Sequence, residues 1–80
     1  NISIFPNPTS NVLNIQFDLP EATDFELELR DNLGRIFIQK SVQNSMNGNL
    51  ILDVAELASG VYFLSFYSGD FVVSRRVFVE

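Results

Sequence analysis

Strict alternation of apolar and polar residues constrains this chain more than any other feature. In Phe25-Glu26-Leu27-Glu28-Leu29-Arg30 every second residue is apolar and every other one is charged. Successive side chains of an extended strand point to opposite faces, so this stretch has one apolar and one solvated face. Wound as a helix, it would scatter its glutamates through the apolar arc. Leu13, Ile15 and Phe17 repeat the pattern around Asn14 and Gln16. Read this way, the chain holds seven short strands, at 2–5, 13–17, 25–30, 35–42, 49–53, 61–67 and 71–79. At most one helical turn fits, over 53–57.

The breaks between strands carry turn chemistry. Asp31-Asn32-Leu33-Gly34 predicts a type I turn closed by Gly34 at positive φ. Ser68-Gly69-Asp70 predicts a second tight hairpin, and 44–49, with Asn47-Gly48 inside it, a looser polar connection. Seven strands in 80 residues leave no room for parallel crossovers. The expected fold is therefore all-β: an immunoglobulin-like antiparallel β-sandwich, formed as a single domain over 1–80. The antibody hallmarks are missing, since there is no cysteine pair and no tryptophan. A domain of this size buries only about 60% of its unfolded surface. Its eight phenylalanines, each contributing roughly 1.5–3 kcal/mol when buried, must therefore carry much of the stability.

Charge and residue usage exclude several functions. Ten acidic residues against five basic ones give −5, where nucleic-acid phosphates would need a basic stripe. The longest apolar run, Val61 to Leu64, is far short of a membrane span. With no histidine and no cysteine, the commonest general base and soft metal ligand are both absent. The serines have no evident base partner. Asp18, Asp24, Asp31, Asp53 and Asp70 sit mostly at strand ends as turn formers, and no Asp-x-Asp-x-Asp run supports calcium. No catalytic residue, metal or cofactor is expected. Asn1-Ile2-Ser3 begins abruptly within a strand and no signal peptide opens the chain, which reads as a fragment from the end of a longer protein.

Three stretches ask for more than a fold. In Phe5-Pro6-Asn7-Pro8-Thr9-Ser10-Asn11 the prolines end the first strand and block edge pairing, while Asn7 and Ser10 are expected to bond nearby backbone. Gly60 precedes the most apolar strand and is expected to enter it at positive φ. In that strand Tyr62, Leu64 and Phe66 share one face, and Val61, Phe63 and Tyr67 lie with Ser65 on the other. Such a strand is central and covered on both sides, or keeps one face for a partner. The last strand, 71–79, should turn Val77 and Val79 inward and leave Phe78 outward beside Arg76. Arg75 and Arg76 are a solvated basic pair, or part of an edge suited to strand-addition docking.

FPNPTSN, LASGVYFL and SRRVFVE in this order, with DNLGR between the first two, resemble the C-terminal sorting domain of type IX (Por) secretion cargo in its type A form, from Bacteroidetes. The likeness spans essentially the whole chain. Phe5 stands where the family often has tyrosine, and Arg76 where it often has lysine, so the positive charge is kept. The resemblance implies a targeting label that follows an exported cargo and is recognised by the outer-membrane translocon and its shuttle proteins. It further implies removal by a sortase-like peptidase, with the cargo released or left on the cell surface. It assigns recognition to Gly60, Tyr62, Arg75, Arg76, Val77 and Val79, the first two through fold integrity, and structural roles to Pro6, Asn7, Pro8 and Gly34. A weak dimer through an exposed edge strand is compatible with so small a sandwich. The alternative reading is a small immunoglobulin-like binding module, for carbohydrate or protein, using outward Phe63, Tyr67 and Phe78.

Overall fold

The computed structural model describes residues 1–69 and 71–80. Five strands follow one another: β1 (Ile2–Phe5), β2 (Val12–Asp31), β3 (Ile36–Asp53), β4 (Gly60–Ser68) and β5 (Phe71–Val79). All the strand pairings are antiparallel. One edge of β2 is taken along its length by β3. Its other edge is shared, by β1 opposite 14–17 and by β4 opposite 26–31. β5 then pairs with β4 over nine residues, from Gly60↔Val79 to Ser68↔Phe71.

Among the described residues the strands number five, not seven. Segments 13–17 and 25–30 form one continuous strand, and 35–42 and 49–53 form another. Residues 44–49 are not a loose connection either, because Asn47, Gly48 and Asn49 pair with Asp18, Phe17 and Gln16 inside β3. What the sequence presents as breaks are bends within paired strands. Between Asp18↔Asn47 and Thr23↔Ser45, residues 19–22 of β2 oppose Met46 alone. Pro20 sits in this excursion, where a missing backbone donor disrupts no ladder. A second irregularity follows before Phe25↔Val42, where Asn44 has φ +48° and its N–H donates to Asp24 Oδ1 at 2.7 Å. Bulges bend the strands that carry them. The β2–β3 ribbon therefore curls, and the apolar residues of its two halves meet in one core.

That core draws on both sides of the bend. Leu13, Ile15 and Phe17 come from the first half of β2, and Phe25, Leu27 and Leu29 from the second, all buried. Leu52 and Val54, then Tyr62, Leu64, Phe66, Val77 and Val79, complete it. Phe17 meets Phe25 edge-on at 5.0 Å, and Phe25 lies 5.9 Å from Phe66. Gly48 pairs with Phe17 at close quarters, where a Cβ would lie 3.1 Å from the ring's Cζ and the ring would have to shift.

The Asp31–Gly34 turn behaves as its chemistry predicts. The Gly34 N–H donates to the Asp31 carbonyl at 3.1 Å, and Gly34 has φ +85°. A single turn follows Asp53, with the Leu57 N–H on the Val54 carbonyl. In the expected hairpin at 68–70, Gly69 has φ +56°, while Asp70 lies outside the described residues.

Candidate recognition surface

The segment after β1 does not make a local turn. Asn7 was expected to bond nearby backbone; instead its side chain reaches the last strand. Its Nδ2 donates to the Arg76 carbonyl at 3.0 Å, and its Oδ1 accepts the Phe78 N–H at 2.9 Å. One carboxamide thereby stands in for one peptide unit of a neighbouring strand. Two residues on, the backbone itself takes over. The Thr9 N–H donates to the Phe78 carbonyl at 2.9 Å, and the Thr9 carbonyl accepts the Glu80 N–H at 2.8 Å. Thr9 is buried, its hydroxyl donating to the Val12 carbonyl, and forms a parallel bridge with Val79. The Asn11 carbonyl then accepts the Val54 N–H at 2.8 Å. Pro6 and Pro8 flank Asn7 and keep the segment out of the regular ladder. The prolines do block β1 from continuing, but the segment between them covers the edge of β5.

Motifs far apart in sequence thus lie side by side. Asn7 and Thr9 border the end of β5 and Glu80, which follows it. The next strand over is β4, where Gly60, Val61 and Tyr62 oppose Val79, Phe78 and Val77. Beyond it, Tyr62 opposes Asp31, which opens the Asp31–Arg35 turn.

Each recognition residue named from the sequence has a definite place in this array. Gly60 begins β4 with φ +157°, a positive value as expected. Tyr62 is buried, its ring 5.7 Å from Phe37 and edge-on to it. Its hydroxyl donates to the Ala58 carbonyl at 2.7 Å, fastening the corner that leads into β4. Val77 and Val79 are core residues, turned inward as alternation requires. Arg75 and Arg76 point to opposite faces of β5 and are exposed. Neither forms an ion pair among the described residues, and the Arg76 guanidinium lies 5.8 Å from the ring of exposed Phe78. β4 is central, between β2 and β5, with Ser65 buried on its outer face and joined to Ser74 at 2.9 Å.

The Asp31–Arg35 turn carries more structure than its glycine alone suggested. Asp31 Oδ1 accepts the N–H groups of Leu33 and Arg35, both at 2.9 Å, and Oδ2 pairs with Arg35 Nε at 2.6 Å. Burial pushes the Asp31 carboxyl up, but the Arg35 backbone and guanidinium and the Leu33 N–H outweigh it, leaving its pKa below the ordinary value. On the neighbouring residue pair, Arg30 Nη2 meets Glu28 Oε1 at 2.7 Å. Among the described residues no acidic cluster could hold a metal ion, and no helix is long and apolar enough to cross a membrane.

A family model described as secretion system C-terminal sorting domain matches residues 3–80. The chain belongs to that family. No curated protein matches it. As a member of the sorting-domain family, the chain is a C-terminal type IX secretion sorting signal. The family is one of signals rather than enzymes, and its role implies export across the outer membrane and contact with the type IX machinery. Sequence reasoning missed three participants in this sorting domain's array: Thr9, Asn11 and Ala58. Each acts through backbone atoms, which residue type does not reveal. Asp31 was legible only as a turn former, because its link to Arg35 depends on the turn being closed.

Proposed function

We propose that this sorting signal works as one folded domain, recognised as a structure and not as a loose tail. The observation that carries the reading is the docking of Asn7 and Thr9 on β5, which holds residues 76–80 in an ordered array beside Gly60–Tyr62. On this reading Gly60, Tyr62, Val77 and Val79 act by maintaining the array, as do Pro6, Asn7, Pro8 and Gly34. Arg75, Arg76 and the backbone of β5 are what the translocon and its shuttle proteins touch. The side chains of Arg75 and Arg76 are exposed, whereas those of Tyr62, Val77 and Val79 are not. A sortase-like peptidase then separates the domain from its cargo in the course of passage from periplasm to cell surface. The domain itself contributes no chemistry, in keeping with a composition that lacks histidine and cysteine. An immunoglobulin-like description is supported by the core shared across the β2–β3 bend and by the Tyr62 hydroxyl bonded four residues upstream, a feature of such folds.

Fusing residues 1–80 behind a signal peptide and a fluorescent reporter, in a bacterium with this pathway, tests the reading. The reporter should reach the medium or cell surface. Deleting 77–80 should trap it, and Arg76→Lys should not. A reporter left in the periplasm by the intact domain would remove the proposal.

A second reading, an immunoglobulin-like binding module for carbohydrate, is favoured only by the outward Phe63 and Phe78, at 38% and 43% exposure, because Tyr67, expected outward with them, is half-buried. A glycan array decides it, with binding lost on Phe63→Ala or Phe78→Ala as the supporting result.

A further inference from the structure

The outer edge of β5 is divided into two parts. N–H and C=O of one strand residue point to the same edge, and the edge alternates along the strand. Since Phe78 faces the Asn7–Thr9 segment, residues 76, 74 and 72 present their backbone groups on the same side, away from β4. From the Arg76 carbonyl to the Glu80 N–H, that side is occupied by four hydrogen bonds from Asn7 and Thr9. Further back, among the described residues, no backbone partner reaches Val72 or Ser74, and the Ser74 carbonyl is met only by Arg75 Nη1 at 3.2 Å. An unpaired run of this kind is a template for another extended segment.

The covering segment is anchored unevenly. Thr9 is 2% exposed and makes main-chain bonds to β5, whereas Asn7 is exposed and holds by its side chain alone. Local opening begins where bonds are solvent-exposed and apolar contacts few. We propose that Asn7–Thr9 is a strap, hinged at Thr9, that restricts strand addition on β5 to Val72–Ser74 and exposes the edge to Phe78 when Asn7 lifts. The proposal rests on the reading of β5 as the recognition strand and adds the device that sets how much of it a partner meets. A lifted strap presents a longer row of donors and acceptors beside Arg76, so a partner strand that engages the full edge must first displace one carboxamide.

Amide hydrogen exchange on the 1–80 chain tests this directly. The Phe78 and Glu80 amides should exchange slowly and those of Val72 and Ser74 fast. In Asn7→Ala the Phe78 amide should speed up by about tenfold or more, the scale of losing the two hydrogen bonds that Asn7 makes, with Glu80, held by the Thr9 carbonyl, and Leu29 and Leu64 unchanged. Asn7→Asp, which keeps an acceptor for the Phe78 N–H but no donor for the Arg76 carbonyl, should show a smaller increase. Equal exchange at Phe78 and Ser74 in the unmodified chain, or no change at Phe78 in either variant, overturns the strap. Should Asn7→Ala unfold the chain, the unmodified chain and Asn7→Asp still decide the matter. The export assay is separate: a reporter that stays periplasmic while the exchange pattern holds removes the recognition reading and leaves the strap standing.

Discussion

Tyr62→Phe isolates a single hydroxyl. In the native chain that hydroxyl donates to the Ala58 carbonyl at 2.7 Å, while the ring is 5% exposed and packs edge-on against Phe37. Phenylalanine keeps the ring and its packing and removes only the bond. The net loss for one such bond is about 1 kcal/mol, with a further cost if the Ala58 carbonyl finds no water. In a domain of this length, 1 kcal/mol lowers Tm by roughly 4–8 °C. Total stability at this size is roughly 4–12 kcal/mol, so the variant stays folded. Tyr62→Ala also deletes the buried ring, at about 3–5 kcal/mol, and should leave the chain largely unfolded on warming. Thermal and urea denaturation followed by circular dichroism, on all three chains, measures the series. A Tyr62→Phe midpoint indistinguishable from the unmodified chain would refute the argument that this corner is held by its hydroxyl. It would also weaken the assignment of Tyr62 to recognition through fold integrity.

Two further predictions concern the fold. Gly48→Ala should destabilise by about 1–3 kcal/mol in the same assay, because its Cβ meets a Phe17 ring already fixed against Phe25; an unchanged midpoint would mean the ring can move aside. For Asp31, the folded pKa lies below the unfolded value, so its stabilisation is complete above that unfolded value and is lost as pH falls through the folded one. The stability gap between the unmodified chain and Asp31→Asn should therefore be constant near neutrality and shrink as pH drops below about 4. Urea titrations across that range check it, and a gap independent of pH would contradict it.

Much of the fold was legible because its determinant is local. Alternation at Leu13-Ile15-Phe17 and Phe25-Leu27-Leu29 sorts side chains to two faces whatever the partner strand, and those six residues are all in the core. Gly34 and Val77-Phe78-Val79 were readable for the same reason. Where strands end was less legible. Leu19-Pro20 and Asn47-Gly48 have the composition of breaks, yet both lie inside long paired strands, because a neighbour across the ladder can carry a chain through a bulge.

Sequence alone determined the class of the protein: an all-β chain bearing the ordered motifs of a sorting signal. Tertiary structure decided that those motifs are neighbours and that the opening segment lies against the closing strand. The physical reason is range. Face and turn preferences are properties of adjacent residues, whereas the bond from Asn7 to Phe78 exists only once a curled ribbon has brought opposite ends of the chain within 3 Å.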